Sequence, residues 1–430
     1  MKTVYFHIDE VARDAVVASA LKIKLEKYGI KLFYGNRNFE SLFKKIHFPF
    51  DLAIFPSVDL VESTFVSPER VNFPIFILPT ESVTGRPETR YRLVQHLLGT
   101  NYAIRAKEDW LNKITHFCLW GEKHLNIIEN IMPEIINRCS VIGHPRHDSY
   151  CLIKNNHTVQ IKKNIGLVSR FDILNIFDGR SNLNFIYDMM KKRNKPLEYF
   201  QVDDRDVEDM WYVMVQDLKI FFTLIDNIDD EKFSISIRIH PRENRYNWEN
   251  LVKLKNLPIQ IAQWDEPFNH WLEKQDIIIT TPSTSLYDCA LRGKRAITIQ
   301  NIFEHREEHT NIKSDDYDPI LSFFESASSF KELLELLSTE NIIDPPKQLL
   351  QLMKDETNYP ESHKSLDNLS NIINNVKPTL KKRDYLGIIQ YYLHREYISI
   401  QYYRNKITEQ SVSFPLNRKR RQWIDSLVSN

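Results

Sequence analysis

"DIIITTPSTSLYDCALRGKRAITI", Asp276 to Ile299, holds a complete β–α–β unit in twenty-four residues. Ile277 to Ile279 form a short apolar run of β-branched side chains, which reads as a buried strand. Thr280, Thr281, Ser283, Thr284 and Ser285 come next, interrupted only by Pro282. Ser285 to Arg292 read as a helix that stops at Gly293, and "RAITIQ" returns as a second strand. Two strands joined by a helix run parallel, and a parallel sheet is covered on both faces.

The same alternation extends upstream. "NIGLVSRF" (Asn164 to Phe171), "FSISIRI" and "LPIQIAQ" are strands, and "DMWYVMVQDLKIFFTLIDNI" is a helix before the second of them. "TVYFHI", "IKLFYG", "DLAIFP", "PIFILP", "THFCLWG" and "CSVIG" make an earlier series, with helices such as "RDAVVASALKIKLEKYG" interleaved. The expected class is therefore α/β: two Rossmann-like domains, residues 1–150 and 151–340, facing across a cleft. The polar stretch Cys151 to Asn164 is the expected hinge. Residues 341–430 read as a helical, basic carboxyl-terminal region.

The 430 residues carry 57 basic and 57 acidic side chains, and 42% are hydrophobic. Global disorder and a generic nucleic-acid coat are thereby disfavoured. Cys118, Cys139, Cys151 and Cys289 lack CxxC spacing, so neither a disulfide framework nor a zinc site is expected. The start "MKTVYFHIDEVARD" is not a signal peptide, and no apolar run approaches the ~18 residues of a membrane span. A cytoplasmic protein with reduced thiols is expected. No GxGxxG and no GxxxxGK[ST] occurs, which leaves the standard dinucleotide and P-loop sites unsupported. Residues 376–430 hold 11 Lys/Arg against 4 Asp/Glu, a net of +7, and include "RKRRQW", Arg418 to Trp423. Such a segment suits an anionic membrane surface, with Trp423 as an interfacial anchor.

Ligands of open β/α sheets bind beyond the carboxyl ends of strands. Two strands end on the same tripeptide there: "SVIGHPRHDSY" and "SISIRIHPREN". In the second, Pro241 ends the ladder and fixes where His240 emerges. His240 and Arg242 can donate to an anion, Glu243 can accept from ribose hydroxyls, and Asn244 can read polar edges. Ser283, Thr284 and Ser285 crowd a helix start, where free N–H groups and the dipole favour phosphate. In "PIFILPTESVTGR" a strand delivers Glu81 to a loop as a candidate acid/base; Asp9 and Glu10 are the other candidates. Asp204 and Asp206 are spaced to hold a divalent cation, though acids at a helix start explain them equally well.

The His-Pro motif with a downstream Ser/Thr pair resembles the bacterial glycosyltransferases of GT-B fold that use CMP-activated sugars, the sialyltransferases and Kdo transferases. That resemblance implies that His240 and Ser283–Ser285 hold the nucleotide phosphate and that Glu81, in "PTESVTG", acts in catalysis. Glu81 has no acidic neighbour, and Gly85 comes later than in the family's motif. A second likeness, over roughly Val4 to Arg306, is to bacterial surface-carbohydrate biosynthesis proteins with a Gly-x-Pro-Arg-x-Asp segment between domains and His-Pro-x-Glu-Asn later. "GHPRHD" matches the first motif with Gly143, His144, Arg146 and Asp148, and "HPREN" matches the second. The implied activity is metal-independent transfer of a CMP-activated acidic sugar, Kdo or another nonulosonic acid, to a glycan or glycolipid acceptor. No cofactor beyond the donor and no nucleic acid is implied. A CDP-polyol phosphotransferase, a nucleotide-sugar epimerase and a non-catalytic subunit of a polysaccharide assembly complex are the alternatives.

Overall fold

The computed structural model describes residues 2–36, 40–80, 93–94, 97–98, 108–151, 162–176, 204–263, 266–302, 318–339, 347–359, 364–377, 385–404, 422 and 425–426. The chain divides into two compact units, Met1–Lys154 with Met353–Asn430, and Asn155–Leu352.

The first unit is built on a six-stranded sheet, β1 (Thr3–His7), β2 (Lys31–Gly35), β3 (Leu52–Phe55), β4 (Ile75–Ile77), β5 (Ile114–Leu119) and β6 (Cys139–Val141). Their order is β2-β1-β3-β4-β5-β6, and every neighbouring pair is parallel. Helices α1 (Val11–Glu26), α2 (Val58–Phe65), α3 (Glu122–Ile131) and α4 (Pro145–Cys151) connect or flank the strands. All five residues of β1 are buried. Tyr5 enters one apolar cluster, with Phe43, Phe50 and Phe55, while Val4 and Phe6 enter another, with Leu21 and Ile54. That is the period-two alternation of a strand buried on both faces.

The second unit has its own six-stranded sheet: β7 (Lys163–Val168), β8 (Phe233–Arg238), β9 (Ile259–Ile261), β10 (Ile277–Thr280), β11 (Arg295–Thr298) and β12 (Glu325–Ser326). Its order is β12-β11-β10-β7-β8-β9, again with parallel neighbours. The helices are α5 (Asp204–Asn227), α6 (Arg245–Lys255), α7 (Phe268–Glu273), α8 (Ser285–Leu291) and α9 (Phe330–Ser338). The winding starts at β7, runs out through β8 and β9, then returns to the other side of β7 with β10. The junction of β7 and β10 is thus the topological switch point, where open α/β sheets bind ligands. Lys163 and Asn164, expected in the hinge, begin β7.

Among the described residues three further helices follow, α10 (Lys347–Thr357), α11 (Ser365–Asn375) and α12 (Tyr385–Arg404). The sequence sets residues 341–430 apart; in the structure the chain from Met353 onward clusters with the first unit. Leu366, Leu369 and Ile373 complete the core around Val4 and Phe6, and Tyr391 completes the one around Tyr5. The returning backbone passes so close to Gly121 that a Cβ there would lie 2.3 Å from the Asp355 carbonyl oxygen. Among the described residues no helix is long and apolar enough to cross a membrane.

Candidate functional site

Register places the site. Val168 of β7 pairs with Arg238 of β8 on one side and with Thr280 of β10 on the other. The three strands therefore end level, about 5 Å apart. Their carboxyl ends deliver three short segments to one edge of the sheet: Ser169-Arg170 from β7, His240-Pro241-Arg242 from β8, and Thr281 to Ser285 from β10.

The β8 edge is a tight turn. Glu243 N–H donates to the His240 carbonyl at 2.9 Å, and Arg242 N–H donates to His240 Nδ1 at 3.3 Å. With Nδ1 accepting, neutral His240 carries its proton on Nε2, which makes that nitrogen a donor. The His240 N–H donates to Ser169 Oγ at 3.0 Å, tying the turn to the end of β7. Ser169 Oγ in turn donates to Glu243 Oε1 at 2.6 Å. His240 and Pro241 are half-buried and Arg242 is exposed.

Glu243 departs from its expected ribose contact. It is 3% exposed and accepts from Ser169 Oγ, from Phe171 N at 3.0 Å and, through Oε2, from Trp248 Nε1 at 2.8 Å. Burial pushes its pKa up, against the pull of these donors. Asn244 departs likewise. Its side chain accepts from Asn247 N at 3.3 Å and caps α6, while its backbone N–H donates to the Asn175 carbonyl. Both residues hold the turn in place rather than present themselves at its surface.

The β10 edge carries the hydroxyls. Ser283 Oγ and Ser285 Oγ are hydrogen-bonded to each other, and Thr280 Oγ1 lies 3.4 Å from each. Ser285 N–H donates to Ser283 Oγ at 3.2 Å. Thr284 precedes α8 without a side-chain cap bond. Ser283 thus satisfies one N–H at the start of α8, and the Ser285 and Thr280 hydroxyls gather around it. Arg170, which sequence reasoning passed over, crosses the switch point: its Nη1 donates to the Pro282 carbonyl at 2.8 Å. An arginine directly after a strand in "GLVSRF" was the available signal.

The first His-Pro-Arg has the same local geometry. Arg146 N–H donates to His144 Nδ1 at 3.3 Å and His147 N–H to the His144 carbonyl at 2.9 Å. Gly143 enters the turn at φ +90°, a region that favours glycine. Its surroundings differ. His144 is 6% exposed, stacks on Trp120 at 3.7 Å and lies 4.2 Å from the His147 ring. Burial, then His147 and Arg146, hold its pKa well below the ordinary imidazole value. Asp148 is buried and accepts from the Leu366 backbone N–H at 2.7 Å, at the start of α11. Gly143, His144, Arg146 and Asp148, expected between domains, belong to the first unit, where Asp148 fastens the returning chain.

Glu81 lies outside the described residues. Asp9 and Glu10 come after β1, and both pair with Arg13, at 3.2 and 3.5 Å. Asp204 and Asp206 stand in the first turn of α5. Another acid/base pair, unforeseen from sequence, is buried at the end of β1: His7 Nδ1 lies 2.5 Å from Glu40 Oε1, which also accepts from Tyr5 Oη. Burial alone would lower the His7 pKa, but Glu40 offsets this and raises it. Among the described residues, no group of three or more His, Cys, Asp or Glu stands together as a metal site would require.

No protein-family model and no curated protein matches this chain. Solved structures do. The wall teichoic acid polymerase TagF, soaked with CDPG, superposes with a TM-score of 0.50 at 10% identity, over 86% of this chain and 87% of that one. A UDP-N-acetylglucosamine 2-epimerase aligns at 0.45 and 11% identity over 87% and 95%. The UDP-GlcNAc 2-epimerase of Neisseria meningitidis, bound to UDP-GlcNAc, aligns at 0.45 and 12% over 87% and 99%. At these identities the likeness bears on fold alone. The chain has the two-domain Rossmann-like architecture of GT-B enzymes.

Proposed function

We propose that this chain is an enzyme that takes a cytidine nucleotide-activated donor and transfers its cargo to a bacterial surface glycan or glycolipid. The observation that carries this reading is the level ending of β7, β8 and β10 at the switch point. It sets the His240 turn, Arg170 and the Ser283–Ser285 hydroxyls on one edge. These groups supply what a departing phosphate needs: a ring N–H, a guanidinium and several hydroxyls. Strand spacing puts the His240 turn and the hydroxyl loop about 10 Å apart, a span that a nucleotide monophosphate can bridge.

The donor we favour is a CMP-activated acidic sugar, Kdo or another nonulosonic acid, with His240, Arg242, Arg170, Ser283, Thr284 and Ser285 on the phosphate. His240 Nε2–H and the hydroxyls would neutralise charge as CMP leaves, with no metal required. Glu81 is the proposed acid/base, with Asp9 and Glu10 as its rivals. A second reading, a CDP-polyol phosphotransferase, is favoured by the fold likeness to TagF. An acceptor of either kind lies near a membrane, and the positive excess of residues 376–430 suits that place.

Thermal shifts with CMP, CDP and UDP, followed by turnover with CMP-Kdo and CDP-glycerol, test the proposal. CMP should stabilise at least as well as UDP, His240→Ala should remove that shift, and EDTA should leave turnover unchanged. Turnover with CDP-glycerol alone selects the second reading. Absence of any cytidine-nucleotide shift overturns both.

A further inference from the structure

The hydroxyls at the carboxyl end of β10 fall into two sets. Alternation along the strand sends Ile277 and Ile279 into the apolar cluster around Phe171 and Trp248, and Ile278, which reaches Gly166, to the opposite face. Thr280 continues the series of Ile278. Its Oγ1 donates to the Thr281 carbonyl at 2.9 Å and lies 3.4 Å from the mutually bonded hydroxyls of Ser283 and Ser285. That set is closed on itself. Thr281 continues the series of Ile277 and Ile279. It is 5% exposed, and among the described residues its Oγ1 has no hydrogen-bond partner. Leaving a buried hydroxyl unpaired costs stability, and native folds contain few such groups.

The neighbours of Thr281 select its partner. Thr280 pairs with Val168, so Thr281 stands level with Ser169, one strand spacing away at the switch point. Ser169 Oγ is engaged with Glu243 Oε1 and with the His240 N–H. Both oxygens of Glu243 accept from Ser169, Phe171 or Trp248. The Arg170 guanidinium reaches the residue next to Thr281, donating to the Pro282 carbonyl at 2.8 Å. A hydroxyl set close to a guanidinium, with the nearby carboxylate already served, suits an anionic oxygen to which it donates. We propose that Thr281 Oγ1 is a phosphate-reading contact of the nucleotide site and donates to a phosphate oxygen beyond the end of β10. The inference rests on the nucleotide reading and adds to it a residue outside the interlocked hydroxyls. Binding then supplies the partner that the free chain lacks, so the same hydroxyl weakens the free fold and strengthens the complex.

Calorimetric titration of the full chain with CMP, beside thermal unfolding of the free proteins, tests this without reference to turnover. Thr281→Val removes the hydroxyl at nearly constant shape. It should bind CMP about tenfold more weakly than the wild type, the loss of a hydrogen bond to a charged group. Without nucleotide it should unfold no earlier than the wild type, because the lost hydroxyl had no partner. Thr281→Ser keeps the hydroxyl and should keep most of the affinity. Cytidine, which lacks the phosphate, should bind the wild type and Thr281→Val alike. Wild-type CMP affinity in Thr281→Val overturns the inference alone; a wild type that binds no cytidine nucleotide overturns the nucleotide reading with it. Earlier unfolding of free Thr281→Val would show a hydroxyl already paired within the fold, and overturns the inference too. So does a loss of CMP affinity in Thr281→Ser as large as that in Thr281→Val, or an equal loss for cytidine, which would place the hydroxyl on the nucleoside.

Discussion

Three donors converge on one carboxylate at Glu243, and that convergence decides where His240 stands. Ser169, Phe171 and Trp248 all donate to it. Ser169 also accepts the His240 N–H. A carboxylate serves as acceptor at both oxygens; a carboxamide does so at only one. Glu243→Gln therefore sets an amide N–H against a donor in a buried place. The expected loss is about 1–3 kcal/mol in urea unfolding, together with a smaller CMP-induced thermal shift as the turn loosens. A variant with wild-type stability and an unaltered CMP shift would remove Glu243 from its bracing role. The sequence could not reveal this. "HPREN" shows a polar run at a strand end, whereas the partners that bury Glu243 lie some seventy residues upstream at Ser169 and Phe171.

Between elements, the two His-Pro-Arg turns share hydrogen bonds and differ in neighbours. The first opens helix α4 and points Asp148 at the start of α11. Burial raises the Asp148 pKa from an ordinary carboxylate value to about 6. An acid raised in the folded state binds a proton there that the unfolded chain has already released. Its stabilising contribution is full below about pH 4 and is lost as pH rises through about 6. Asp148→Asn keeps an acceptor for the Leu366 N–H and has no proton to lose. It should erase that pH slope, and it should gain up to about 3 kcal/mol at pH 8 relative to its effect at pH 4. Chemical denaturation of both proteins across that range measures the difference. Parallel slopes would show that another group carries the pH dependence. The tripeptide repeat was legible in the sequence, and so was its place at strand ends. That one copy is packed under Trp120 and the other is half-open was not.

Across the whole molecule, the chain ends in the unit where it began. Leu366, Leu369, Ile373 and Tyr391 fill cores made by β1 and its neighbours. Removing residues 353–430 should therefore unfold the first unit, while residues 155–352 keep their sheet and whatever nucleotide shift they have. Calorimetry should show one transition lost and one retained; two transitions in the truncated chain would show the returning helices to be dispensable. The two parallel β/α sheets were legible along the chain, because apolar period, turn residues and helix stops are local and recur in register. So was the strand-end placement of His240 and Ser283–Ser285, since the carboxyl end of a strand can be read from the residues that break it. The strand order emerged from packing, and with it the switch point that sets Arg170 beside Pro282. Packing likewise turned Glu243 and Asn244 inward, paired His7 with Glu40 and returned the last helices to the first unit. Each of these rests on contacts between distant residues. A side chain's period tells which face it takes, but what meets that face is settled only when the sheets and helices have packed.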